Sequence, residues 1–198
     1  MKTLPISQFP LISPEDADHD LNEIFNEIRR TTDTPEIIAM WQTLANSLPA
    51  LQGSWLLMCH AYLQGSLPMS LKAMILFSIA AAHHCTYCAA VHEATCRIIG
   101  IDSASLEAIV QDLGRLNPVR ARKIIQFALK CADYPQELDE TDYEQVRQFG
   151  ISDSEIVEII TLASLANYFD TLANAFKLEV DSYIQDLLPG EQLVFRSA

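Results

Sequence analysis

The sequence predicts an all-α protein, one bundle of about eight to ten helices, and three observations carry that prediction. Apolar residues fill 49% of the 198 positions and glycine only 6 of them, a composition that suits packed helices and is wrong for a disordered chain. Helix start signals at Ser13-Pro14, Thr34-Pro35, Asp102-Ser103, Asn117-Pro118 and Ser152 alternate with stop signals at Gly65, Gly100 and Gly150. No stretch carries the two-residue alternation of a strand with conviction.

Taken in order, Ser13-Pro14-Glu15-Asp16 reads as an N-cap with proline at the first helical position. It opens an amphipathic helix through Leu21, Ile24, Phe25 and Ile28 to Thr31. Thr34-Pro35-Glu36 opens a second helix to Ser47, and Pro49 a third to Gln64, stopped by Gly65. Leu67-Pro68-Met69-Ser70 leads into an apolar helix over 70–83, and the next helix runs from Cys85 to Ile99 with Gly100 as its end. Asp102/Ser103 caps a short helix to Leu113, and Asn117-Pro118 opens one to Asp133, followed by a linker over 134–139. Thr141–Phe149 is helical, and the capping box Ser152-Asp153-Ser154-Glu155 opens the longest periodic segment, to Leu178. The stretch 180–198 lacks periodicity and reads as a tail. The expected organisation is one domain over 1–198: N-terminal helices over 1–66, a core over 67–178 and a tail over 179–198.

Charge narrows the function. With 13 basic and 26 acidic residues the net charge is -13, which repels polyphosphate; with no basic cluster, nucleic-acid binding is not expected. The longest apolar run, Ala73 to Ala82, is half a bilayer span and contains Ser78. The first ten residues lack a signal-type apolar region, so a cytoplasmic protein without membrane association is expected.

Chemistry concentrates at Cys85-Thr86-Tyr87-Cys88 and His92. Cys85 and Cys88 are i,i+3 and Cys88 and His92 are i,i+4, so on a helix all three share a stripe. A thiol becomes nucleophilic when deprotonated, and an imidazole or a helix start assists that. The five cysteines, 59, 85, 88, 96 and 131, are an odd set at irregular spacing, which is no disulfide scaffold. Cys59, Cys96 and Cys131 read as core thiols, His60 as a half-buried helix histidine and His19 as solvent-exposed. Zinc on His84, Cys85, Cys88 and His92 is the rival reading, weakened by the lack of a second ligand pair from another segment.

The stretch from Leu67 to Gly100 resembles the carboxymuconolactone decarboxylase-like superfamily, in its alkyl hydroperoxidase D (AhpD-like), peroxidase-related branch. That family's pattern is a glutamate, eleven residues, then Cys-x-x-Cys-x-x-x-His; Cys85, Tyr87, Cys88 and His92 fall on it, as do Leu67-Pro68 and the small residues Ile79-Ala80-Ala81-Ala82. Ala166-Asn167-Tyr168-Phe169 through Val180 resembles the family's late helix. The resemblance implies an AhpD-like helical bundle and a thiol peroxidase: Cys88 attacks the peroxide, His92 accepts its proton, and the more accessible Cys85 resolves the sulfenic acid as a disulfide. It further implies a hydroperoxide substrate, a dithiol reductant protein or lipoyl/thioredoxin-type donor, no cofactor, no metal, and a closed homotrimer or hexamer. The family glutamate falls on Ala73. His83 and His84 are then the nearest spare groups for a proton relay, and a weak peroxidase is expected. Two alternatives stand beside it: a dithiol–disulfide reductase or redox sensor, and a decarboxylase of a small lactone acid, whose anion a chain of this charge attracts poorly.

Overall fold

The computed structural model describes residues 7–188 and 190. Among them there is no strand, and ten α-helices form the all-α bundle that the sequence predicts. They are α1 (His19–Thr32), α2 (Ala39–Leu44), α3 (Leu48–Met58), α4 (Met69–Ala82), α5 (Thr86–Ile98), α6 (Ser103–Gln111), α7 (Val119–Asp133), α8 (Glu140–Gln148), α9 (Asp153–Phe176) and α10 (Ser182–Asp186). A π-helical turn, Cys59–Leu63, continues α3.

Core position follows from apolar coverage. In α4 nearly every residue from Leu71 to Ala80 is buried, with no polar face. A helix apolar all round must be wrapped by others, and α5, α7 and α9 pack along it. α9 is long and apolar enough by length and composition to cross a membrane, although Thr161, Ser164, Asn167 and Asp170 interrupt its apolar residues. Half of its most apolar stretch is buried, through residues that include Ile159, Leu162, Leu165 and Phe169. Its capping box forms as the sequence predicts: Glu155 N–H donates to Ser152 Oγ, and Ser152 N–H to the Glu155 carboxylate at 2.8 Å.

Several boundaries differ from expectation for local reasons. Ser13 makes a turn with Asp16 and does not open α1; Asp18 caps it, accepting from Leu21 N–H at 3.0 Å. Thr34-Pro35 lies in a loop, and α2 starts only at Ala39, whose N–H donates to Asp181 Oδ1 at 2.8 Å. The expected tail contains α10, which packs on this chain's own α5: Ile184 and Leu188 bury against Ala90 and Ala94. Positions 189 and 191–198 of that expectation lie outside the described residues. His60 is exposed and pairs with Gln64 at 3.1 Å, where the sequence predicts half-burial. His19 is exposed as expected.

The π turn ends on a tightly specified junction. Gly65 has φ +102, and a Cβ there would fall 2.5 Å from Glu158 Oε2. That carboxylate accepts from Ser66 N–H, Ser66 Oγ and Leu67 N–H. Beside it the buried Lys72 ammonium donates to the carbonyls of Tyr62 and Gln64, 4.0 Å from Glu158. Buried charges persist when paired and hydrogen-bonded in this way.

Candidate functional site

The site begins at the turn between α4 and α5. After Ala82, His83 stays right-handed and His84 turns left-handed (φ 53). Cys85 N–H then bonds the Ala80 carbonyl at 2.9 Å and His84 N–H that of Ala81 at 3.1 Å. These two bonds make a Schellman motif in which glycine is usual; a histidine there holds strain of the order of 1 kcal/mol. The turn places Cys85 at the N-cap of α5 and Cys88 in its first turn, as the spacing predicts. Tyr87 pins the helix start from the other face. Its hydroxyl accepts from Met40 N–H at 3.1 Å and donates to Asp181 Oδ2 at 3.0 Å.

Packing adds a group that the sequence pattern does not contain. Asp170, from the C-terminal third of α9, is buried against the two cysteines, and its carboxylate and both sulfurs lie within 4.8 Å of one another. Asp170 Oδ2 bonds His83 Nδ1 at 2.9 Å, and His83 Nε2 bonds Asp133 Oδ1, at the end of α7, at 2.7 Å. The thiols are sealed (0% exposed at Cys85, 4% at Cys88), while His83 is half-buried and Asp133 exposed. A continuous line of titratable groups thus runs from the buried sulfurs to the surface.

The electrostatics follow from those contacts. The hydrogen bond that the Cys88 thiol gives to Cys85, burial, and the negative charge of its neighbours, Asp170 among them, push Cys88 well above its ordinary pKa. This corrects the expectation that the helix start makes a ready thiolate: burial and acidic neighbours outweigh the helix end. Burial also raises the Asp170 pKa, against the bonds from Cys88, His83 and Cys85, and so makes its carboxylate a better proton acceptor. For His83, burial alone would lower the pKa, but its bonds to Asp133 and Asp170 prevail and raise it. The two flanking carboxylates thus favour the imidazolium form.

The other predicted residues separate. Cys85 is fully buried and not the more accessible thiol. His92 lies one turn beyond Cys88 and lines an apolar cavity, with no hydrogen bond among the described residues. Burial lowers its pKa to about 4, so at neutral pH it is a weak base. His84 points to solvent. Ala73 is fully buried in α4, and Glu93 pairs with Arg97 at 2.8 Å and not with His92. Cys96 is sealed, and burial raises its thiol to about 12; Cys131, also buried, is raised likewise to about 12. Cys59 is half-buried. The rival zinc set of His84, Cys85, Cys88 and His92 is not assembled, since His84 is exposed and His92 lines the apolar cavity. Cys85, Cys88 and Asp170 are the buried donors that could hold a metal, three where a structural zinc site uses four.

Residues 49–113 match the carboxymuconolactone decarboxylase family. No curated protein gives a significant match. Among solved structures, a peroxidase-related protein of Ralstonia eutropha JMP134 with an alkylhydroperoxidase AhpD core superposes at TM-score 0.84 with 22% identity, over 92% of this chain and 96% of that one. A peroxidase-related protein of Silicibacter sp. TM1040 superposes at 0.80 with 20% identity, over 93% and 96%. The debrominase Bmp8, in complex with 2,3,4-tribromopyrrole, superposes at 0.74 with 16% identity, over 91% and 97%. The segment that matches the carboxymuconolactone decarboxylase family holds the Cys-x-x-Cys-x-x-x-His helix, and along nearly its whole length the chain carries the all-α fold of the AhpD-like, peroxidase-related structures.

Proposed function

We propose that the protein is a thiol-dependent peroxidase of antioxidant type, acting through Cys85 and Cys88 with Asp170 as the proton acceptor. The observation that carries this reading is the cluster of two sulfurs and a carboxylate within 4.8 Å, wired through His83 to the surface. Asp170 takes the Cys88 proton as the sulfur attacks the hydroperoxide. The S–O bond forms, the O–O bond breaks, and the alkoxide leaves with that same proton from Asp170, which is then a carboxylate again, still bonded to His83. Cys85 then attacks the sulfenic acid: the disulfide forms, the S–O bond breaks, and hydroxide takes the Cys85 proton and leaves as water. An external dithiol, protein-borne or of lipoyl or thioredoxin type, returns the two electrons by exchange. The carboxylate role of the family glutamate passes from Ala73 on α4 to Asp170 on α9. His92 bounds the neighbouring cavity and is not the base.

Burial of both sulfurs favours a second reading, a dithiol–disulfide protein or redox sensor with slow peroxide turnover. Mass analysis after mild peroxide tests the common core. The peptide holding Cys85 and Cys88 should lose two hydrogens, while oxidation confined to Cys59 would sink both readings. Turnover of cumene hydroperoxide with dihydrolipoamide then separates the peroxidase from the sensor.

A further inference from the structure

A cavity of about 310 Å³ opens beside the motif helix, walled by α1, α2, α3, the π turn, the start of α4, α5 and α10. Its size is at the low end of small-molecule sites, about 300–1,000 Å³, and its lining is almost wholly apolar. Among the described residues, Glu36 is the one acidic or basic side chain on the wall besides His92.

Three polar groups on cavity-lining residues lack partners. The indole Nε1 of Trp55 and the hydroxyl of Tyr62 are buried without a hydrogen bond, on residues only 4% and 7% exposed. Buried donors in folded proteins are nearly always paired, so two orphans on one cavity are unusual. The third is the His92 imidazole, neutral at physiological pH, which offers one N–H and one bare nitrogen. Tyr62 stands on the π turn, a deviation that recurs at functional positions. That turn is fastened by Lys72 on the Tyr62 and Gln64 carbonyls, so the tyrosine is held in place by a buried ion.

We infer that this cavity binds a small uncharged organic molecule with an apolar body and one hydrogen-bond-accepting oxygen, read by Trp55, Tyr62 and His92. The apolar wall takes the body, and the orphan donors select the oxygen, because a ligand without an acceptor leaves them unpaired. An organic anion is rejected: among the described residues no lysine or arginine lines the cavity, Glu36 repels it, and its charge would be desolvated without a partner. The assignment concerns binding alone and does not rest on the thiol chemistry.

Both of the chain's tryptophans, Trp41 and Trp55, line the cavity, so intrinsic fluorescence of the full-length protein reports occupancy. The probes are acetophenone, cumene (a similar body without the oxygen) and benzoate. Acetophenone should change the emission saturably, cumene should bind at least about tenfold more weakly, and benzoate should not compete. Tyr62→Phe should retain its Tm, since the hydroxyl has no partner to lose. It should weaken acetophenone about three- to tenfold, the worth of one net hydrogen bond, and leave cumene unchanged. Cys88→Ser should bind as wild type, which separates this assignment from the fate of the thiol reading. Equal affinity for acetophenone and cumene, or no saturable response to either, overturns the inference in the wild type alone. So does wild-type acetophenone binding by both Tyr62→Phe and Trp55→Phe.

Discussion

Asp170→Asn removes the proposed base while keeping its shape. Asparagine fills the same volume between α9 and the cysteines and can still accept from His83 Nδ1, now 2.9 Å from the carboxylate. The structural loss is therefore the downgrade of charge-assisted hydrogen bonds to neutral ones, about 1–2 kcal/mol, or a few degrees of Tm for a chain of this size. The kinetic loss should be far larger. With the Cys88 thiol held well above its ordinary pKa, almost no thiolate exists at pH 7 without an acceptor. General-base contributions run to about 10²–10⁴-fold, and the variant should slow by that factor. The pH profile carries the diagnosis. Where Asp170 is ionised the wild-type rate should vary little, whereas the variant should climb about tenfold per pH unit as hydroxide replaces the carboxylate. The gap between them should close toward alkaline pH. The assay is rapid mixing with peroxide, an alkylating quench, and mass analysis of the peptide holding Cys85 and Cys88. A folded Asp170→Asn protein with the wild-type rate and profile, alongside a crippled His92→Ala, would refute the argument and return the proton to His92.

Cys88→Ser should abolish peroxide turnover, while Cys85→Ser should leave one oxidation of Cys88 and then stall, as mass analysis of single turnovers would show; a dead first step in Cys85→Ser reverses the two roles. His92 has a folded pKa of about 4 against an ordinary 6.5. Its contribution to stability is thus present above pH 6.5 and lost as pH falls toward 4, on the order of 3 kcal/mol in all. Thermal melts from pH 7 to 4 should show an acid loss that His92→Gln reduces. Ala73→Glu should destabilise and not activate, because the position is fully buried and the larger, charged side chain overpacks it by at least about 1–3 kcal/mol; a faster, stable variant would show that Asp170 does not fill the family role. Leu56, Ile98 and Val157 stand 60%, 67% and 62% exposed, apolar surface that a second copy would cover. We propose a homo-oligomer, and light scattering behind a sizing column should exceed 22.1 kDa; a clean monomer at micromolar concentration would contradict it.

The sequence by itself determined whatever is encoded within a turn or two of helix. Proline and serine caps, glycine stops and apolar periodicity act locally, so α4 to α9 appear close to where the spacing puts them. The same locality places Cys85 and Cys88 in the first turn of α5, with His92 one turn on. Where a distant partner sets the conformation, the local reading misplaces it. α2 starts at Ala39 because Asp181 accepts its first N–H, and the expected tail becomes α10 because Ile184 and Leu188 find Ala90 and Ala94. Only tertiary structure decided the proton acceptor proposed for the cysteines. Asp170 reads as one acidic residue in a long apolar helix, and Asp133 as the end of another, until α7 and α9 pack along α4. That packing brings both carboxylates to the turn that carries His83. It also set the character of the thiols, since spacing predicts a neighbour along the helix but burial and charge from other helices fix the pKa. The cavity, too, exists only as the space among seven elements of the folded chain, which no periodicity records.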